Sequence, residues 1–167
     1  MMLPDLLKYQ ATWDGAHRYL GEEANAALAY LLILRTGHDL EALFAPFFER
    51  HQLSQGRFSV LMRLLDAPGH TLAPSQLADA LGVTRAAISK LVDGLEHTGL
   101  IERRLDPTDR RAWLITPTAA ARTLLEEILP PHFQRIRHIM SALTGEEQDQ
   151  LITLLLKVAG HLGTTTI

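Results

Sequence analysis

Two short stretches of the sequence combine cations with small hydrogen-bonding side chains. Residues 84–90 run Thr-Arg-Ala-Ala-Ile-Ser-Lys, and the second stretch is Asp109-Arg110-Arg111. Arginine and lysine bind phosphate oxygens, and with serine and threonine they also donate hydrogen bonds to the edges of bases. The small alanines of the first stretch would let its backbone approach a groove closely. Taken alone, a pair of arginines is usually part of a solvated turn, so recognition of double-stranded DNA is indicated only if the surrounding elements form a DNA-binding motif.

Other kinds of site are not indicated by the sequence. It holds no cysteine, which excludes disulfides, thiol catalysis and cysteine-ligated zinc. We find no nucleophile elbow, phosphate-binding loop or glycine-rich dinucleotide loop. The eight histidines are scattered: Asp14 and His17 have a plausible i,i+3 spacing, and His132 and His138 lie on one predicted helix, but the sequence contains no His-x-x-x-His or Glu-x-x-His pair. We therefore predict that the protein is not an enzyme and holds no metal or cofactor.

The overall composition is that of a folded protein with a small excess of acid. The chain has 167 residues, of which 47% are hydrophobic and 21% charged, and its net charge is −3. DNA binding therefore has to depend on a local patch, and residues 85–111 carry six cations against five anions. The longest apolar run, Ala26–Leu34, is far shorter than the roughly 20 residues of a membrane span. Since no signal peptide is evident either, we expect a cytoplasmic protein without a membrane partner.

The first cationic stretch is expected to lie on the second helix of a helix-turn-helix pair. Pro74 suits the first position of a helix, Gly82 tolerates the left-handed turn after it, and Thr84 is a plausible cap of the next helix. Gly99 is expected to end that helix. Its inward positions are aliphatic at helical spacing, namely Ile88, Leu91, Val92 and Leu95.

A ribbon is predicted directly after this pair. Ile101, Arg103 and Leu105 alternate with Glu102 and Arg104, which is the two-residue period of a strand. Residues 106–109 have the composition of a turn, and residues 112–115 favour a second strand. The tip of the ribbon would carry Asp109, Arg110 and Arg111. Two helices followed by such a ribbon form a winged helix-turn-helix, in which the second helix enters the major groove and the ribbon reaches phosphates or the minor groove.

Longer helices are predicted on both sides of this domain. Residues 22–50 have apolar side chains on more than one face, which favours burial against a partner chain. Ser54 would cap the helix that follows residues 22–50. In the helix after the ribbon, Pro130 and Pro131 are expected to cause a kink or a break. Thr144 with Glu147 forms a capping box at the start of the last helix. The predicted fold is mainly α with a small β-wing. A winged helix-turn-helix domain at residues 53–117 is flanked by dimerisation helices at residues 1–52 and 118–167.

With these elements the sequence resembles the MarR family of bacterial transcriptional regulators. The resemblance covers about residues 53–122, and its most specific part is Asp109-Arg110-Arg111, which matches the Asp-x-Arg signature of the family's wing. Ala73 departs from the pattern, because Ser or Thr is commoner before Pro74. Pro117 departs as well, because Leu commonly stands before Thr118.

The resemblance implies a homodimer that binds a pseudo-palindromic operator as a repressor and is released by a small-molecule effector. The DNA contacts that it implies are Ser75, Gln76, Thr84, Arg85, Ala86, Ser89, Lys90, Asp109, Arg110 and Arg111. It also implies an effector pocket between the dimerisation helices and the winged domain, with Trp13, Arg57, Phe58 and Trp113 as candidate residues. The alternative is a winged-helix module that binds a protein and not DNA.

Overall fold

The computed structural model describes residues 24–106 and 112–163, together with Asp14, Arg18 and Gly21. The helices in these ranges are α1 (Ala24–Arg50), α2 (Gln55–Asp66), α3 (Pro74–Leu81), α4 (Arg85–His97), α5 (Ala119–Met140) and α6 (Gly145–Leu162). The strands β1 (Ile101–Leu105) and β2 (Trp113–Pro117) pair antiparallel, with Arg103 opposite Ile115. The prediction of a mainly helical fold with a small β-wing is confirmed. Of the segment predicted to be helical at residues 4–19, only Asp14 and Arg18 are described, and both are helical; its other residues and the wing tip at residues 107–111 lie outside the described residues.

Most helix boundaries follow from capping groups next to them in sequence. The hydroxyl of Ser54 accepts a hydrogen bond from the Arg57 N–H at 3.3 Å, and that of Thr84 accepts one from Ala87 N–H at 3.2 Å. Gly82 ends α3 in the left-handed region at φ 63°, where a side chain would be strained. The capping box predicted at the start of α6 is also present, because Thr144 and Glu147 exchange both of its hydrogen bonds. These local predictions are therefore confirmed.

Of the kink or break expected at Pro130 and Pro131, the break is wrong, because α5 runs without interruption from Ala119 to Met140, and the kink stays a prediction. The two prolines remove the N–H donors that would bond to the carbonyls of Glu126 and Glu127. Both glutamates lie on the exposed side of the helix, so water can satisfy the carbonyls that the prolines leave unbonded.

The core lies where α2, α3 and α4 meet β2 and the first half of α5. Its largest fully buried side chains include Phe48, Leu61, Leu64, Leu77, Ile88, Leu95, Ile115, Leu125 and Ile128. Leu72 exchanges two backbone hydrogen bonds with Ile115, which fixes the segment before α3 to the wing. Because α3 and α4 turn their apolar sides toward this core, their polar sides are left at the surface.

Large apolar side chains remain exposed on α1 and α6. They are Tyr30, Ile33, Leu34, Leu40 and Leu43 on α1, and Leu151, Ile152, Leu154, Leu155, Leu156, Val158 and Leu162 on α6. No residue of α6 is buried within the single chain. An apolar surface of this extent is typical of a site of protein association. None of the described helices is long and apolar enough to cross a membrane.

Candidate nucleic-acid interface

The outward face of α4 carries polar, small and cationic side chains near its N-terminus. Thr84, Arg85, Ala86, Ser89 and Lys90 are all exposed, whereas the aliphatic residues on the opposite side of the helix are buried. Neither Arg85 nor Lys90 forms an ion pair with another described residue. The Ser89 hydroxyl donates to the Arg85 carbonyl at 3.1 Å, which leaves its oxygen available as an acceptor. This face therefore presents two cations beside groups that can form hydrogen bonds.

The acidic residues of α4 are bound by the wing. Arg103 on β1 forms an ion pair with Asp93, and its Nε lies 3.4 Å from a carboxylate oxygen of Glu96. On β1 itself, Arg104 pairs with Glu102. Two arginines of β1 thus pair with three carboxylates, and the contacts of Arg103 hold the wing against α4.

The N-terminus of α3 lies at the surface and has an unusual cap. Ala73 has no polar side chain, but Gln76 reaches back and its Oε1 accepts a hydrogen bond from the Ala73 N–H at 2.8 Å. The amide NH₂ of Gln76 keeps its donors, and Ser75 beside it is also exposed. Gln76 therefore has a structural role in addition to the phosphate contact that the sequence predicts for it.

Trp113 is the first residue of β2 and lies opposite Leu105, at the end of the ribbon next to the wing tip. It is 48% exposed, and it lines a groove together with Pro74, Ser89, Asp93 and Arg103. Sequence reasoning assigned this side chain to an effector pocket. Its position next to Ser89 makes it a candidate neighbour of bound DNA.

The other candidate effector residues have different neighbours. The guanidinium of Arg57 lies directly over Gly94 in α4, so close that a Cβ at Gly94 would be 2.7 Å from its Cζ. The ring of Phe58 is buried with its centroid 4.8 Å from that of Phe48. Neither residue lines the groove of Trp113, and Trp13 lies outside the described residues. The structure thus places Arg57 against α4 and Phe58 in the core.

Sequence reasoning missed a buried histidine in α5. His132 is only 9% exposed, and its ring contacts five phenylalanines, namely Phe44, Phe47, Phe48, Phe58 and Phe133. Its Nδ1 is buried without a hydrogen-bond partner among the described residues, and burial lowers the pKa of the imidazole. The signal was available, because Leu125 and Ile128 precede His132 at the spacing of a core-facing helix stripe. In the described ranges no three side chains of the metal-ligating types converge.

The packing of α3 and α4 against a two-stranded ribbon defines a winged helix-turn-helix protein. A family model described as MarR family matches residues 51–112. The HTH-type transcriptional repressor YetL of Bacillus subtilis is 33% identical over 155 residues, which are 93% of this chain and 93% of YetL. The chain therefore belongs to the MarR family of transcriptional regulators.

Solved structures of the family have the same fold. Sco3205 from Streptomyces coelicolor, a MarR family transcriptional regulator solved in complex with DNA, gives a TM-score of 0.79 at 25% identity, covering 86% of this chain and 90% of that one. Bordetella bronchiseptica BpsR, whose DNA binding is regulated by 6-hydroxynicotinic acid, gives a TM-score of 0.71 at 25% identity. That match covers 79% of this chain and 98% of BpsR.

Proposed function

We propose that the protein is a homodimeric, sequence-specific transcriptional repressor that leaves a pseudo-palindromic operator when a small-molecule effector binds. The observation that carries this proposal is the charge arrangement on α4. Arg85 and Lys90 have no ion-pair partner among the described residues, whereas Asp93 is held by Arg103. Because the whole chain is acidic, such a local cationic face is what DNA binding requires.

In this proposal α4 enters the major groove and the neighbouring elements hold the phosphates. Thr84, Arg85, Ala86, Ser89 and Lys90 would face base edges and nearby phosphates. Ser75 and Gln76 would bind phosphate at the N-terminus of α3. At the wing tip, Arg110 and Arg111 would reach the minor groove, with Asp109 bracing Arg111. The related Sco3205 was solved in complex with DNA, which supports DNA binding by this chain.

The dimer would be built from the helices outside the winged domain. We propose residues 1–52 and 118–167 as the dimerisation regions and residues 53–117 as the DNA-binding domain. The exposed apolar surfaces of α1 and α6 support this division, since Leu156 and Leu162 are 67% and 68% exposed in the single chain. A two-fold axis would then place the two α4 helices about 34 Å apart, one turn of DNA.

An effector would act through the contact between α2 and α4. We keep Trp13, Arg57, Phe58 and Trp113 as the proposed effector residues, and the regulation of BpsR by 6-hydroxynicotinic acid supports a ligand-responsive protein. Since Arg57 lies against Gly94, a ligand that draws its guanidinium away would remove a contact of the recognition helix. Such a ligand would couple its own binding to the position of α4.

Fluorescence anisotropy with the DNA that flanks the gene, beside a scrambled duplex, tests the proposal. We expect selective binding of one dimer per site, with an affinity that falls steeply as salt is raised, because phosphate contacts release counterions. Arg111→Ala and Lys90→Ala should weaken binding about tenfold or more, whereas Arg137→Ala, an exposed cation on α5, should have no effect.

Two outcomes would count against it. Unchanged affinity of Arg111→Ala would mean that the wing assignment is wrong. Equal and weak binding to both duplexes, and to a library of genomic fragments, would favour the alternative of a module that binds protein.

A further inference from the structure

An indole is exposed on the inner face of the ribbon, close to the wing tip. Trp113 stands two residues before Ile115 in β2, and alternate residues of a strand share one face. Since Ile115 is fully buried against the helices, Trp113 points to the same side of the ribbon but lies beyond the edge of the core. Trp113 and Leu105, which lies opposite it, are 48% and 54% exposed. Exposed tryptophan is typical of a surface that contacts another molecule.

The same indole borders the exposed face of α4. Trp113 lines a groove with Ser89, which is exposed on α4, and with Pro74 in the first turn of α3. Among the described residues that line this groove, the one carboxylate is that of Asp93, and Arg103 pairs with it. A phosphate group that approached Trp113 would therefore meet a carboxylate whose charge is already balanced.

We propose that Trp113 contacts the sugar–phosphate backbone of DNA between the major and the minor groove. The inference rests on the proposed function, in which Ser89 faces the major groove and Arg111 reaches the minor groove. One sugar–phosphate strand separates those two grooves, so it has to pass over the protein surface between these two residues. Trp113 follows Arg111 by two residues in the sequence and shares its groove with Ser89, so it lies on the path of that strand.

An indole has the chemistry that this contact requires. Its apolar ring can pack against the C–H groups of deoxyribose, and its Nε1–H can donate a hydrogen bond to a phosphate oxygen. Contacts to sugar and phosphate fix the position of a protein on the duplex and carry no base information. Trp113 therefore sets how the wing lies on the DNA relative to α4 and adds affinity for any sequence.

Fluorescence anisotropy with the duplex that flanks the gene, beside a scrambled duplex at low salt, tests this inference. Trp113→Ala should weaken binding to both duplexes by the same factor, about fivefold to tenfold, because the lost contact is to the backbone. The slope of log affinity against log salt concentration should stay that of the wild type, since an indole releases no counterion. A displaced wing would instead remove Arg110 and Arg111 from the DNA and lower that slope.

Leu114→Ala is the matched control on the same strand. Leu114 is the next residue of β2 and points to the opposite face of the ribbon, so its truncation should leave the affinity for DNA unchanged.

Acrylamide quenching of tryptophan fluorescence provides a second measurement. The chain has two tryptophans, so Trp113 is the only one in a Trp13→Phe variant. Saturating duplex should reduce the quenching constant of Trp113 by about twofold or more, because the DNA backbone covers the exposed indole.

The outcomes separate this inference from the proposed function. If the wild type binds neither duplex, the proposed function fails and the inference fails with it. The inference alone is overturned if the wild type binds and Trp113→Ala binds equally well, or if acrylamide reaches Trp113 as readily with the duplex as without it. A reduced salt slope for Trp113→Ala would also overturn it, because the loss of affinity would then come from a displaced wing.

Discussion

At the scale of single residues, the most unusual environment is that of His132. Its ring centroid lies 4.8 Å from that of Phe58 in α2 and 5.2 Å from that of Phe44 in α1. The neutral imidazole packs there as an aromatic ring, although its Nδ1, which has no partner among the described residues, carries a cost of about 1–3 kcal/mol. A proton on His132 would place a charge without a partner where α1, α2 and α5 meet. Protonation of His132 would therefore make the packing at the junction of the winged domain with the outer helices depend on pH.

We predict that His132 makes the protein less stable in mild acid. Its pKa in the folded state is below the ordinary value of 6.5 because of burial, so below that pH the unfolded chain binds more protons. The free energy of unfolding should fall as the pH is lowered from 6.5 through the folded pKa. His132→Phe should flatten this dependence and change stability at neutral pH by less than about 1.5 kcal/mol. Urea denaturation at fixed protein concentration, repeated over a pH series, measures both effects.

His138→Gln provides the comparison for this experiment. His138 lies on the same helix but is exposed, so its removal should leave the pH profile of the wild type in place. Parallel profiles for the wild type and His132→Phe would show that another group causes any loss of stability in acid.

The contact between Arg57 and Gly94 is a second residue-scale feature with a measurable consequence. Glycine inside a helix costs about 1 kcal/mol relative to alanine, so Gly94→Ala should stabilise α4 unless the new methyl group meets an obstacle. The guanidinium of Arg57 is that obstacle. We predict that Gly94→Ala stabilises the protein more in an Arg57→Ala background than in the wild type. Thermal or urea unfolding of the four proteins of this double-mutant cycle gives the coupling energy, and additive effects would show that the guanidinium moves aside at no cost.

At the scale of elements, the start of α4 combines a structural and a proposed binding role in Thr84. Thr84→Ala should lower the free energy of unfolding by about 1 kcal/mol, because the Ala87 N–H loses its acceptor. Thr84→Asp should keep the stability, since a carboxylate both caps the helix and suits its dipole. The same carboxylate would stand beside the phosphates that Arg85 is proposed to bind, so operator affinity should fall.

Measuring stability and DNA affinity on the same variants separates the two roles. Thr84→Ser keeps the cap without adding charge, and it should match the wild type in both measurements. If Thr84→Asp binds the operator as tightly as Thr84→Ser does, the N-terminus of α4 does not face the DNA backbone.

The elements also show which features a sequence can predict. Ser54, Gly82 and Thr144 were identified correctly because a cap depends only on groups within one turn of the helix. The break allowed for at Pro130 and Pro131 does not occur, and the sequence could not exclude it, because the cost of the two prolines depends on whether the freed carbonyls reach water, which only the packed helix shows.

At the candidate site, too, the sequence predicted the local features but not the contacts between helices. The exposed face of α4 follows from the helical spacing of its buried residues, which is a local pattern. The contact of Arg57 with Gly94 and the burial of His132 among phenylalanines join residues on different helices. Because no local pattern specifies such pairs, the sequence could place Arg57 and Phe58 only by resemblance.

At the scale of the whole molecule, the exposed apolar surface of α6 suggests how two copies associate. Leu151, Leu155, Val158 and Leu162 recur at helical spacing and form the centre of this surface. All four are exposed in the single chain, although each would gain stability from burial. If this surface joins two subunits, both copies of α4 can bind one operator at once, and the second contact becomes intramolecular.

We therefore predict that Leu155→Asp produces a folded monomer with weak DNA binding. A carboxylate in the centre of the apolar surface would lose its hydration in the dimer without gaining a partner. Operator affinity should fall by about 100-fold or more, because the advantage of two linked binding sites is lost.

Thr153→Asp is the matched control: residues 153 and 155 point about 200° apart on the helix, so it adds the same charge on the opposite side. Sedimentation equilibrium and fluorescence anisotropy measure the two effects. The architecture would be contradicted if the wild-type protein were a monomer that binds its operator fully, or if the Leu155→Asp variant were a dimer with unchanged affinity. If the Thr153→Asp variant is a dimer and the Leu155→Asp variant is a monomer, the interface lies on one face of α6.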